Sequence, residues 1–331
     1  MIDVFFAMET GDPDDIFALL WIIAEQSVTL RGIAVSKGSL DQVGFLRWLL
    51  NQFNSPQIKT IPIGPVVPLK TDEKKGRPKS NLDKGTAKKF THGASFDKKD
   101  PGDGKGSDLL YAFLQTYPKG TVITGAPLTV LRLLFEDHPD ARIEKLVSQG
   151  GFAGSRCVKS QDRLDKFKDT VRVGTYNFNG DVRAANMVLA SPYIAQKTFV
   201  SKDVCHGVAW TMEIDERVGK ILSTFKSHNA ASQSKNDIYI AWSLMSGASK
   251  KKNKKLHDPL AACVAVCPDI CNFMFVRCYR ERGSETEVDN LTGSYKWGSV
   301  PDPASKNAMS VSFNLDKFEA LFLRSLLSIS S

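Results

Sequence analysis

The chain has no run of about 18 consecutive apolar residues, the length a helix needs to cross a bilayer. It also lacks a basic start followed by a cleavable apolar core, since Met1 to Met8 reads as a strand. Both absences predict a cytoplasmic protein that does not engage a membrane. No Cys-x-x-Cys pair occurs among Cys157, Cys205, Cys263, Cys267, Cys271 and Cys278. That spacing argues against structural zinc, and reduced, mostly buried thiols are expected. No internal repeat and no linker separates two autonomous units. The 331 residues therefore read as one domain, 1-331.

Aromatic residues are scarce where charge is dense. The net charge is +8 and the pI about 9.1, which taken alone suggests an acidic partner such as nucleic acid. The excess is local. Eleven basic and six acidic side chains lie between Lys70 and Lys105, and Lys250, Lys251, Lys252, Lys254 and Lys255 form a second cluster. A groove for nucleic acid interleaves cations with aromatics. Only Phe90 and Phe96 lie in the first segment, and none in the second. These stretches read as solvated basic loop insertions near residues 70-106 and 246-256, and nucleic acid is not the expected partner.

Elsewhere, strands and helices alternate. Ile2–Met8, Leu30–Ser36, Ile58–Ile63, Gly120–Thr124 and Ile143–Val147 read as strands. Asp14–Ala24, Asp41–Asn51, Asp108–Thr116 and Leu128–Phe135 read as the helices between them. The second half is less regular. Helices are expected over Val182–Leu189, Met212–Phe225, Asp237–Leu244, Pro259–Val266 and Asp316–Leu327, with strands at Thr198–Val200 and Phe273–Tyr279. The order predicts an α/β fold with a single open, mostly parallel (mixed) central sheet flanked by helices, Rossmann-like in architecture. Ligands of such sheets bind beyond the carboxyl ends of the strands. Functional residues are thus expected just after Met8, Val35, Ile63, Thr124 and Val147.

The segment after the first strand is Glu9-Thr10-Gly11-Asp12-Pro13-Asp14-Asp15, with four carboxylates in seven residues. Helix capping accounts for part of it: Asp12 suits an N-cap, Pro13 the first helical position, and Asp14 and Asp15 the first turn. Capping needs only one or two acids, however. Four at a binding edge repel one another unless a cation sits among them, and a hard cation wants oxygen ligands. Other segments are more ambiguous alone. His257-Asp258-Pro259 is either a helix start or a functional pair. Asn177-Phe178-Asn179-Gly180-Asp181 is either a capped loop or a pair of amides for sugar hydroxyls. Gly125-Ala126-Pro127-Leu128-Thr129 reads as a strand-to-helix turn, and His92-Gly93-Ala94-Ser95 sits in the basic segment.

In their order along the chain these segments resemble the nucleoside hydrolases of the inosine–uridine type. Met8–Asp15 (METGDPDD) takes the place of the family's opening DxDPGxDD loop. Ile33–Ser39 resembles its ITTxxGN segment, Gly125–Leu131 its GPLTN turn, and Gln149–Phe152 its MGG segment. Asn177–Asn179 resembles its EFN segment, and His257–Ala261 reproduces HDPLA. The resemblance implies hydrolysis of the N-glycosidic bond of a ribonucleoside to free base and ribose, with a role in purine or pyrimidine salvage. It implies a Ca2+ cofactor held by Asp15, the backbone oxygen of Thr129 and Asp258, and a homodimer or homotetramer. Asp14 matches the aspartate that grips a ribose hydroxyl, Asn179 an asparagine on the ribose, His257 the histidine that protonates the departing base, and His92 a mobile-loop histidine near the base.

The departures are local. Without a gap, the family's first two loop aspartates fall at Met8 and Thr10, which carry no carboxylate. A one-residue insertion brings Glu9 to the place of the water-activating ligand, with Asp12 as the alternative. Ser39 stands where the family has a ribose-binding asparagine, and Asn177 where a glutamate binds the 5′-hydroxyl. Tyr239 and Trp242 are candidates to stack on a base, but their spacing equally suits ordinary helix packing. The alternative to an active hydrolase is a non-catalytic or altered-substrate member of the same fold that binds a ribosyl ligand.

Overall fold

The computed structural model describes residues 1–66, 71–72, 77–78, 81–226, 232–249, 253–282 and 294–330. The sheet begins with β1 (Ile2–Met8), whose last five residues are buried. An unbroken apolar run suits a strand covered on both faces. Helix α1 (Pro13–Ala24) follows. Asp12 caps it by accepting the Asp14 backbone N–H at 3.3 Å, and Pro13 opens its first turn. Nearly every α1 side chain is buried, which places it inside the molecule rather than on its surface.

Next come β2 (Val28–Val35), α2 (Leu40–Leu50), β3 (Ile63–Pro65), α3 (Lys84–Thr91), α4 (Gly106–Thr116), β4 (Thr121–Thr124), α5 (Thr129–Asp137) and β5 (Ile143–Gln149). The second half carries β6 (Arg172–Val173), α6 (Val182–Ala190), β7 (Ile194–Val200), α7 (Met212–Lys226), α8 (Gln233–Ala248) and α9 (His257–Val266). The chain closes with β8 (Cys271–Arg282), β9 (Tyr295–Pro301), β10 (Asn307–Phe313), α10 (Leu315–Phe322) and α11 (Arg324–Ser330).

Ten strands form one sheet in the order β3-β2-β1-β4-β5-β7-β10-β8-β9-β6. The strands from β3 to β10 pair in parallel, and β8, β9 and β6 add an antiparallel edge. The expected mixed, mostly parallel sheet between helices is therefore present. Two apolar clusters cover it. One joins α1, α2, α8, α9 and α10 around Trp21, Trp210, Trp242 and Phe322. The other joins α4, α5 and α6 on the opposite face around Phe5, Phe113, Leu131 and Phe178. Chain order reverses at β1, which lies between β2 and β4. In an open α/β sheet that reversal opens the crevice where ligands bind.

Several boundaries differ from the sequence expectation. The strand expected over Ile58–Ile63 is a helical turn, Pro56–Lys59, followed by the short β3. Pro56 at the first helical position favours that turn. The first basic segment is not all loop. It contains α3, capped by Asp83, which accepts the Thr86 N–H at 2.6 Å, with Ala87 and Phe90 buried. Strands β9 and β10 replace expected irregular chain, and the closing helix is divided at Leu323 into α10 and α11. In the second basic segment, Lys254–Lys255 pairs with Ala209–Trp210 as a small antiparallel ladder rather than a solvated loop. Lys250, Lys251 and Lys252, like Lys70, Lys74, Lys75 and Lys79, lie outside the described residues.

Candidate active site

A cavity of about 390 Å³ opens at the carboxyl ends of β1, β4 and β5. Its wall includes Glu9, Asp12, Asp14, Asp15, Asn177, His257 and Asp258 from the sequence expectation, together with Gly11, Gly125, Gln149 and Tyr176. The carboxylates come from chain positions about 240 residues apart, yet ligand oxygens of Asp14, Asp15 and Asp258 lie within 4.8 Å of one another. All three residues are buried.

Each carboxylate is held by its element. Glu9 is the first residue beyond β1, and its backbone N–H donates to Asp15 Oδ1 at 2.9 Å. Asp14 and Asp15 lie in the first turn of α1, where the free N–H groups and the helix dipole favour negative charge. Asp14 accepts the His257 backbone N–H at 3.1 Å, which ties the start of α1 to the start of α9. Asp258 follows on α9 and points at Gly125. A Cβ built on Gly125 would lie 2.7 Å from the Asp258 Cγ, so only glycine lets the β4 turn approach so closely.

Electrostatically the cluster is frustrated. Burial, then the neighbouring charges of Asp14 and Glu9, pushes the Asp15 carboxyl well above its usual range. Burial, then Asp15 and Asp14, does the same to Asp258. Burial raises Asp14 to about 7 although the Lys254 ammonium opposes the rise. Burial also raises Glu9 to about 7 against a hydrogen bond from Tyr176 and the charge of Lys37. One cation is already present. Lys254 pairs with Asp12 and lies 3.2 Å from Asp14. Lys254 serves Asp12 and Asp14 but leaves Asp15 and Asp258 without a cation, and among the described residues the Asp258 carboxylate has no hydrogen-bond donor. A buried, oxygen-only donor set of this charge fits a hard divalent cation.

His257 is neutral at neutral pH, because burial and then the Lys254 charge lower its pKa to about 4. Its Nδ1 lies 3.5 Å from Asp14 Oδ2, while its Nε2 is buried without a partner among the described residues. The Asn177 amide donates to the Gly125 carbonyl at 3.0 Å and to Gln149 Oε1 at 2.7 Å. Its donors are thus engaged in binding the β4 and β5 turns together.

Six of the expected site residues lie away from this wall. Thr129 begins α5 and does not line the cavity, whereas Gly125, at the end of β4, does. Ser39 is buried at the start of α2, where its hydroxyl meets Asp41 and Gln42 and accepts the Asn81 N–H. His92 ends α3 with φ 49°, and its ring faces Gly247 on α8. Both ends of the Asn179 amide serve the framework, donating to the Tyr295 carbonyl at 2.9 Å and accepting from Trp297 Nε1 at 2.8 Å. Tyr239 stacks on Phe225, and Trp242 is fully buried with its Nε1 donating to Ser325. For both aromatics, helix packing is the outcome.

Gly125 and Gln149 sit at strand ends, where ligand residues are expected. Two residues beside the carboxylates, Lys254 and Tyr176, were not expected. Lys254 was hidden within a charge run, and nothing in the sequence around Tyr176 singles it out. Thr10 and Met8, where the opening loop departs from the family pattern, are both fully buried, and Thr10 accepts a hydrogen bond from Gln42. Glu9 alone puts a carboxylate from that corner into the cavity.

A family model for the inosine-uridine preferring nucleoside hydrolases matches residues 4–319. The chain belongs to this family, whose members are N-glycosidases. Solved structures agree in fold. A plant nucleoside hydrolase superposes with a TM-score of 0.63 at 15% identity, covering 98% of both chains. The purine-preferring ribonucleoside hydrolase of Gardnerella vaginalis gives 0.62 at 15% identity, covering 99% of both. The inosine-uridine preferring nucleoside hydrolase of Bacillus anthracis gives 0.62 at 16% identity, covering 100% of this chain and 99% of that one. No curated protein sequence matches the chain. Among the described residues, no helix is long and apolar enough to cross a membrane.

Proposed function

We propose that this nucleoside hydrolase family member cleaves the N-glycosidic bond of a ribonucleoside, releasing base and ribose, and that it uses Ca2+. The observation that carries the reading is the buried carboxylate cluster of Asp14, Asp15 and Asp258 at the sheet's switch point, with Glu9 beside it. Asp15 and Asp258 would hold the ion, with the Thr129 backbone oxygen as the expected third ligand and Asp12 at the rim. Bound there, calcium supplies positive charge that orients sugar hydroxyls and makes a nearby water more acidic.

The chain's own groups supply the rest. Glu9, held near pH 7 by burial, suits proton removal from the attacking water. Asp14 is positioned to accept from a ribose hydroxyl once Lys254 gives way. The acidic wall stabilises positive charge that develops on the sugar as the bond breaks. His257 is neutral, so it assists the departing base by donating a hydrogen bond rather than as a standing imidazolium. With its amide engaged, Asn177 would not replace a carboxylate on the 5′-hydroxyl, which supports an altered preference at that position.

The test is base release from a panel of purine and pyrimidine ribonucleosides, with calcium and with chelator. Turnover is expected with calcium, and its loss in chelator and in Asp15→Ala. Calcium binding without turnover on any nucleoside would favour the non-catalytic reading, to which the Lys254 pairing with Asp12 and Asp14 lends support.

A further inference from the structure

His257 stands between two clusters, and the acidic one accounts for only one side of it. On the other side, Cys205, His206 and His257 offer one sulfur and two imidazoles whose ligand atoms lie within 4.8 Å of one another. The helical turn Lys202–Cys205 after β7 carries the cysteine, His206 ends that turn, and His257 opens α9. The Cys205 thiol is fully buried and receives the Gln149 side-chain amide at 3.3 Å. The two imidazole rings are 4.5 Å apart between centroids.

Two further observations point to a ligand. The buried Nε2 of His257 has no partner among the described residues. Leaving such a buried group unpaired is unfavourable, so something that binds it is favoured. The Nδ1 of His206 already faces a cation, the ammonium of exposed Lys166. A metal ion at that lone pair would displace a flexible surface side chain rather than a packed one.

The donor set decides the kind of ion. Calcium takes oxygen, whereas one thiolate and two imidazoles suit zinc and its borderline-soft relatives. Three protein ligands leave a tetrahedral ion one position for water. We propose that Cys205, His206 and His257 form a zinc-class site behind the pocket, and that filling it inhibits the hydrolase by withdrawing His257 from the substrate. Binding releases the Cys205 thiol proton to solvent and frees Lys166 from His206; no redox change is involved. The site stands on its own geometry, and only the inhibition clause rests on the proposed hydrolase activity.

Cobalt(II) reports such a site by colour. Titrated into the full chain with calcium in excess, it should give a cobalt–thiolate charge-transfer band. Cys205→Ser should abolish the band, and Lys166→Ala should lower the cobalt dissociation constant. Zinc should inhibit base release by the unaltered protein, and Cys205→Ser should weaken that inhibition by at least about tenfold while its zinc-free rate is unchanged. If Cys205→Ser does not fold, His206→Ala carries the same comparison. No band in the unaltered protein, or an equal band in the variant, overturns the site. The band needs no substrate. A protein that binds cobalt through Cys205 but releases no base upholds the site and overturns the enzymatic reading instead.

Discussion

Replacing Glu9 by glutamine isolates the cost of burying this one carboxylate. Burial lifts this carboxyl from 4.5 to about 7. Its contribution to stability is therefore complete below 4.5, where the group is protonated in both folded and unfolded chains. That contribution is lost as the pH climbs through about 7, because the unfolded chain ionises more readily. A rise of that size corresponds to about 3 kcal/mol. In chelator, the unaltered protein should lose about that much stability between about pH 5 and pH 8 through this group. Glutamine keeps the shape and a hydrogen-bonding partner for Tyr176 but never ionises. Glu9→Gln should then be more stable than the unaltered protein at pH 8 in chelator, by about 2–3 kcal/mol, and equal to it near pH 5. Calcium should reverse the order at pH 8. An ion present at a thousandfold its dissociation constant adds about 4 kcal/mol to a protein that binds it, and less to one that has lost an anionic neighbour. Urea denaturation followed by tryptophan fluorescence reads all of these differences. Equal stability of the two proteins at pH 8 in chelator would refute the argument that burial raises the Glu9 carboxyl.

Other substitutions test neighbouring steps. Gly125→Ala places a methyl group against the Asp258 carboxylate. It should cost about 1–3 kcal/mol and abolish the calcium-induced rise in the thermal midpoint, measured by calorimetry. Lys254→Met removes the ammonium that competes for Asp12 and Asp14. Calcium affinity measured by titration calorimetry should increase, and a decrease would show that Lys254 supports the site instead. Trp242→Ala should cost about 3–5 kcal/mol of stability. It should leave KM unchanged in the folded protein, and a raised KM would return Trp242 to the base-binding wall.

How much of the site could be read in the sequence depends on how each residue reaches it. Glu9, Asp12, Asp14 and Asp15 arrive together, because a strand end and a helix start are contiguous in the chain and acids there are visible as a cluster. His257 and Asp258 were visible because two polar groups precede an apolar helix. Thr129, Ser39 and Asn179 are plausible by motif position, yet none of them lines the cavity. The polar groups of Ser39 and Asn179 serve a helix start and a strand edge, which a linear motif does not distinguish from ligand contacts. Tyr239 and Trp242 illustrate a related ambiguity. A helix whose aromatic face packs on other helices has the same spacing as one that faces a ligand. Lys254 shows the opposite error, since one of its neighbours in the ladder, Trp210, lies far away in sequence and draws it out of an apparently solvated run.

The sequence by itself determined the parallel α/β order, because apolar runs and their spacing are local, and it determined the acid-rich turn after the first strand. Only the tertiary structure decided which carboxylates meet. Asp258 joins Asp14 and Asp15 because α9 packs beside α1 and because Gly125 has no side chain to keep it away. Only that packing decided that burial would lift Glu9 and Asp14 to about 7 and hold His257 neutral. Proton affinities depend on the dielectric surroundings and on charges brought close in space, and neither is written in the order of residues.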